Sequence, residues 1–315
     1  MSGQLTRRLL SGLLTFVPGG RALTERATGG AGDATYCYWV WLHHLVLARR
    51  HGLEGKLEAV AELGPGDSLG TGVAALLGGV DRYYAFDIID YANAEMNLRI
   101  LDQLVELYEA RTPPSAGSRN SGIVRLDEFP AEEVPEAELS RTLAPARLAA
   151  LRAAVREPGT SQDGVWLSYE PDWLATQAAP GEQAKLLISQ AVLEHVDDLA
   201  GAYAAMHRWL APGGLISHEI DFRSHDFARE WNGHWTFSDA TWRLIRGRRR
   251  YAINREPLST HLRLIEQAGF RIVYVKRLEK PSQVAREDLA PRFRAMPDED
   301  LTTSTALVQA VKDPA

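Results

Sequence analysis

Short apolar runs alternate with stretches whose apolar residues recur at helical spacing. The runs at 57–63, 83–86, 164–168, 184–189, 215–220, 271–275 and 304–311 have strand length. Between them, 72–77, 94–109, 199–210 and 259–268 carry helical patterns, and Ala211-Pro212-Gly213-Gly214 stops the third. This alternation predicts the α/β class, with a seven-stranded, mostly parallel sheet and helices on both faces. Two intervals break it. Residues 111–163 open on a Pro, Ser and Gly cluster and read as an insertion, and 222–257 is a long connection rich in His, Trp and Arg. Because ligands in open parallel sheets sit beyond the carboxyl ends of the strands, the second interval is the expected acceptor region.

The domain reading is therefore an N-terminal helical segment at 1–54, covering the cofactor and acceptor site, followed by one domain at 55–315. Within 1–54, a break at Gly29, Gly30 and Gly32 precedes a helix at 35–50 loaded with Tyr36, Tyr38, Trp39, Trp41, His43 and His44. Arg7-Arg8 followed by an apolar run at 9–17 faintly suggests a signal peptide, but the run is short and closes on no cleavage pattern, so an amphipathic first helix is expected.

Composition narrows the class only a little. A chain of 315 residues, 45% hydrophobic and 24% charged, buries a full core. A net charge of −6 argues against nucleic acid as a partner, and the single Cys37 rules out an internal disulfide and suits a reducing cytoplasm. No apolar run reaches the length of a membrane span.

The sharpest motif is Glu62-Leu63-Gly64-Pro65-Gly66-Asp67-Ser68-Leu69-Gly70, an apolar strand entering a glycine turn and then a helix. Glycines at 64 and 66 let the backbone turn sharply and approach a ligand, and the helix start offers free N–H groups. Glu62 would repel a diphosphate but suits a cationic, amino-acid-like ligand. No Gly-Lys-Ser or Gly-Lys-Thr follows, which excludes a P-loop. The second strand ends at Asp87, about 20 residues past the glycines, where a carboxylate can take both hydroxyls of a ribose.

These residues resemble the motifs of class I S-adenosylmethionine-dependent methyltransferases, whose loop is typically acid-x-Gly-x-Gly-x-Gly; here Ser68 replaces the third glycine. The resemblance extends through Leu186 to Val196 and through Leu210-Ala211-Pro212-Gly213-Gly214. It implies a Rossmann-like sheet with an antiparallel seventh strand and S-adenosylmethionine held by Glu62, Gly64, Pro65, Gly66, Ser68 and Asp87. It further implies Asp172 on the adenine amino group, with Glu170 competing, Trp173 over the ring, and Gln190 and Ala191 under the sulfonium. His195 lies in the family's Leu-Glu-His motif, as a helix-start packing residue or a catalyst.

For the acceptor, a hydroxyl needs its proton removed, a service typically worth about 10²- to 10⁴-fold. The stretch 217–226 ends in Asp221, His225 and Asp226. His225 is the candidate base, oriented by Asp221 or Asp226; the same three residues are the candidate ligands of a divalent metal such as Mg2+. Tyr36, His195, Trp231, His234, Trp235 and Arg249 are candidate acceptor contacts, the aromatics by stacking on a sugar ring. Arg249 belongs to an arginine run with Arg243, Arg246, Arg248, Arg250 and Arg255 that suits a phosphate or carboxylate. "HEIDFRSHD" and "REWNGHW" look like a bacterial subgroup of methyltransferases that tailor glycans and secondary metabolites, which implies O-methylation of a saccharide-like acceptor. The competing readings are N- or C-methylation of a small metabolite, a nicotinamide-dependent oxidoreductase, and a non-catalytic cofactor-binding partner.

Overall fold

Beyond the carboxyl ends of its parallel strands, the sheet presents a row of polar side chains on one face, and the fold is arranged to cover that row. The computed structural model describes residues 3–19, 31–88, 90, 93–115, 122–173, 181, 183–249 and 252–314. Its strands are β1 (Ala59–Leu63), β2 (Arg82–Asp87), β3 (Ser161–Gln162), β4 (Val165–Pro171), β5 (Ala184–Gln190), β6 (Leu210–Asp221), β7 (Phe270–Glu279) and β8 (Thr303–Lys312). They form one sheet in the order β3-β4-β2-β1-β5-β6-β8-β7.

From β4 to β6 neighbouring strands run parallel, and β8 is antiparallel to both β6 and β7. The expected seven strands and the antiparallel last strand are present. The additional eighth, β3, is a two-residue antiparallel edge strand on β4, too short to carry any periodicity.

The helices are α1 (Gly3–Leu14), α2 (Ala34–Arg50), α3 (Gly70–Leu77), α4 (Ala94–Glu109), α5 (Glu136–Thr142), α6 (Pro145–Arg156), α7 (Leu199–Trp209), α8 (Asp239–Arg246), α9 (Leu258–Gln267) and α10 (Asp298–Thr302). Among the described residues no helix is long and apolar enough to cross a membrane. The interval 111–163 supplies α5 and α6, and α6 packs on α4 and β4. Two apolar cores pack against the sheet. One joins α2, α3, α4 and α6 to Val60, Tyr83, Ala85, Leu186, Ile188 and Leu215; the other joins α7 and α9 to Ala61, Phe86, Leu187, Ile216 and Ile220.

Because strand side chains alternate, this division fixes where the polar residues point. Glu62 follows Val60, Asp87 follows Ala85, Gln190 follows Ile188, and Ser217, Glu219 and Asp221 follow Leu215. All six therefore lie on the α2 side. Helix α2 is buried over almost its whole circumference, from Cys37 through Ala48, which is why its sequence is apolar and aromatic all round rather than striped. Asp33 caps it by accepting from Thr35 N at 2.9 Å. Helix α1 lays Leu5 and Leu9 against Trp242, Ile245 and Ile253 and leaves Leu10, Leu13 and Leu14 exposed.

Candidate functional site

The glycine turn after β1 is shaped by contact and by hydrogen bonds. Gly64 has φ +71°, and a Cβ there would stand 2.5 Å from Val192 Cγ2. Its N–H donates to Phe86 O at 2.7 Å, and Gly66 N donates to Asp87 Oδ2 at 3.2 Å. The turn is thereby pinned to the end of β2. Pro65 lies between the two glycines. Ser68 Oγ donates to Ala31 O and accepts from Gly70 N at 3.1 Å, and Gly70 sits where a Cβ would meet Cys37 Sγ at 2.5 Å. The serine in the third glycine position thus ties the loop to the segment leading into α2.

Glu62 is buried, and Tyr83 Oη donates to its Oε2 at 3.0 Å. Burial pushes its carboxyl up to about 8, against the hydrogen bonds from Tyr83 and Thr71 that favour the charged form. Asp87 is also buried and accepts from Ile88 N at 2.7 Å.

At the end of β4, Asp172 has φ +62°. Trp173 is buried against Trp209 at 5.1 Å between ring centroids, and Trp209 stacks on Phe86. At the end of β5, Gln190 Oε1 meets His44 Nε2 at 3.2 Å. Ala191 has φ +53° and donates its N–H to Glu219 O at 2.8 Å. The bend at Ala191 brings Val192 onto Gly64 and sets the short 3-10 turn Leu193–His195 beside β6.

The mouth of β6 gathers the acceptor candidates. Asp221 Oδ2 lies 3.3 Å from His225 Nε2, and Arg223 clamps the same carboxylate with Nε on Oδ1 at 2.8 Å and on Oδ2 at 3.0 Å. Burial raises the Asp221 carboxyl, but the bonds from His225 and Arg223 more than offset this and hold it well below the usual range. The His195 and His225 rings meet edge to face at 5.2 Å. His234 is buried beside Trp235 and shifted down to about 3, first by burial and then by the charge of Arg255 and of nearby His225. Tyr36 borders this group from α2; burial first, then the charges of Cys37, Glu219, Glu62 and Glu194, raise its phenol.

The sequence expectations divide here. Asp221 and His225 come together, joined by His195 and His234. Asp226 does not join them: it is exposed, with φ +64°, and faces Arg8 of α1. Trp235 is fully buried, donates Nε1 to Arg255 O at 2.9 Å and packs near Phe293. Trp231 donates Nε1 to Pro281 O at 3.0 Å. Both tryptophans fasten the loop.

Arg249 donates to Ile245 O at 2.7 Å and to Ser11 Oγ at 2.6 Å, so it ties α1 to α8. Arg255 is buried over the Trp242 and Phe293 rings. Arg243, Arg246, Arg248 and Arg249 line a cleft of about 560 Å³ with Phe16 and Asp197, and Arg250 lies outside the described residues. Among the described residues, Arg243, Arg246, Arg248 and Arg249 line this cleft rather than the group gathered at the β6 mouth.

Sequence reasoning missed Glu194 and Glu219. Glu219 lies 4.0 Å from His43 Nε2, and Glu194 is buried beside Asp221. The polar alternation 217, 219, 221 was the available signal for Glu219, and the Leu-Glu-His stretch itself for Glu194.

Residues 78–275 match a family model described as a methyltransferase domain. No curated protein sequence matches the chain. Similar solved structures include an S-adenosylmethionine-dependent methyltransferase from Mesorhizobium loti, at 18% identity over 84% of this chain and 96% of that one, with a TM-score of 0.42. One from Methanosarcina mazei is 12% identical over 85% and 98%, TM-score 0.44. Phosphoethanolamine N-methyltransferase 2 of Haemonchus contortus, in complex with S-adenosyl-L-methionine, is 14% identical over 93% and 60%, TM-score 0.44.

Proposed function

This chain belongs to the class I S-adenosylmethionine-dependent methyltransferases, and from that premise we propose that it transfers the methyl group to a hydroxyl oxygen of a small polar acceptor of the saccharide or glycoside class. The reading rests on one observation, the Asp221 to His225 pair at 3.3 Å beyond the end of β6.

The sulfonium supplies a good leaving group, so the protein's part is to align the acceptor and to take its proton. With Nε2–H held by Asp221, the His225 ring keeps its lone pair on Nδ1. As the hydroxyl oxygen bonds to the methyl carbon and the carbon to sulfur bond breaks, the hydroxyl proton passes to that lone pair. Glu62, Gly64, Pro65, Gly66 and Ser68 would hold the amino-acid end of the cofactor, and Asp87 its ribose. Asp172 and Trp173 would serve the adenine, and Gln190 and Ala191 would border the sulfonium, which supplies the methyl group. Tyr36, His195 and His234 border the acceptor. The lone buried Cys37 supports a reducing, cytoplasmic setting.

The test is transfer of isotopically labelled methyl to a panel of simple glycosides, with the product located by NMR. An O-methyl product is expected, with His225→Ala lowering kcat by about 10²- to 10⁴-fold while S-adenosylhomocysteine still binds. A product methylated on nitrogen or carbon, or unchanged turnover in His225→Ala, overturns the proposal.

A further inference from the structure

Three side chains at the β6 mouth converge on one point. Glu194, His195 and His225 each place a ligating atom within 4.8 Å of the other two. Glu194 and His195 are adjacent in the 3-10 turn after β5, and His225 reaches over from the loop after β6. Two imidazoles and a carboxylate are a donor set for a first-row transition cation rather than for Mg2+, which prefers oxygen throughout. A cation at about 2.0–2.2 Å from each donor needs ligand atoms about 3.3–4.2 Å apart, so side-chain shifts on the order of half an ångström close the site.

Two further observations point to a cation. The Glu194 side chain is 3% exposed, and neither of its oxygens accepts a hydrogen bond of good geometry; only the backbone N–H groups of Glu194 and Asp221 lie near. A buried carboxylate without a firm partner is expensive, and a bound cation removes that cost. The second is the support behind His225. Its Nε2 faces Asp221, itself fixed by Arg223, which leaves Nδ1 to ligate and is how a ligating histidine is oriented and its tautomer set.

We infer that Glu194, His195 and His225 hold a divalent transition cation, with Asp221 as the positioning residue for His225. Three protein ligands leave coordination positions open, and these fit a pair of neighbouring acceptor oxygens. The inference rests on the hydroxyl-acceptor reading for that last point, and there it changes the part of His225: the lone pair that would receive the proton ligates the cation instead. The set differs from Asp221, His225 and Asp226, which the sequence suggested, because Asp226 faces α1.

The experiment is titration of chelator-treated, full-length protein with Mn2+ or Co2+ alone, without donor or acceptor, by calorimetry and by the visible absorption of Co2+. One ion per chain is expected, with absorption bands of nitrogen ligation. Glu194→Gln, His195→Ala and His225→Ala should each weaken binding at least 10-fold, while circular dichroism and S-adenosylhomocysteine affinity confirm the fold. No saturable binding, or affinity that falls with Asp226→Asn but not with Glu194→Gln, overturns the site. Since neither titration contains acceptor, methylation at another atom leaves the cation site standing. Conversely, full O-methyl turnover by metal-free enzyme overturns the cation's role and leaves the hydroxyl reading intact.

Discussion

The phenol of Tyr83 donates to the carboxylate of Glu62 across 3.0 Å, with both groups buried beneath the glycine turn. The bond favours the charged form of Glu62, while burial disfavours it by more and leaves the carboxyl at about 8. Below that pH the group is mostly neutral. A cationic donor prefers the carboxylate, so its affinity rises with pH from 6 to 8, by at most about tenfold per unit. Calorimetry with S-adenosylmethionine at pH 6, 7 and 8 checks this. Glu62→Gln should bind weakly and without that slope, and Tyr83→Phe should move the rise to higher pH.

Gly64→Ala meets two obstacles, the left-handed φ of +71° and the Val192 methyls. Together they should lower stability by about 2–4 kcal/mol and abolish cofactor binding. Adding Val192→Ala removes the collision but not the backbone strain. Chemical denaturation of the double variant should therefore recover part of the loss, and no recovery would show that the contact is not what limits this position.

Five buried histidines govern acid stability. His43 is lowered to about 4, His218, His234 and His261 to about 3, and His44 well below its usual value, all chiefly by burial. Their contribution is complete above 6.5 and is lost as pH falls, because only the unfolded chain binds those protons. Glu62 and Glu194, raised by burial, act in the opposite sense, their contribution declining as pH rises above 4.5. The five histidines outnumber the two carboxyls, so between pH 7 and 5 unfolding takes up protons on balance and stability falls with pH. Calorimetric Tm values between pH 7 and 5 should fall steeply; a flat profile contradicts this balance.

Arg255 donates to Phe237 O at 2.7 Å and to Asp239 at 2.6 Å while lying over two aromatic rings. Arg255→Ala leaves buried carbonyls and ring faces without their cation, for a loss of about 2–4 kcal/mol. Urea denaturation measures it. A change below 0.5 kcal/mol would mean that the arginine is held by its surroundings without supporting them.

Strand and helix positions were largely legible, because burial imposes a period on them: the helix read at 94–109 coincides with α4, and the strand at 304–311 lies within β8. So was the glycine turn, where backbone geometry itself demands the residue type. What the chain did not disclose is which amphipathic side chains face the cavity. Trp231, Trp235 and Arg249 have the chemistry of ligand contacts, and the fold uses each to fasten a loop or helix instead. The reverse holds for His44, which meets Ser217 at 2.7 Å across a separation that no local pattern reveals. Glu194 stands in the Leu-Glu-His stretch without a pattern that marks it, since an acidic residue beside a helix start ordinarily faces water.

The last strand occupies an interior place. β8 joins β6 on one side and β7 on the other, so β7 has no route into the sheet except through residues 303–312. During synthesis, β7 must wait for a segment more than twenty residues downstream before its hydrogen-bonding edge is filled. A deletion there would therefore act like removing a middle stave from a cask, detaching an otherwise intact neighbour and baring the flank of the strand that carries Glu219 and Asp221.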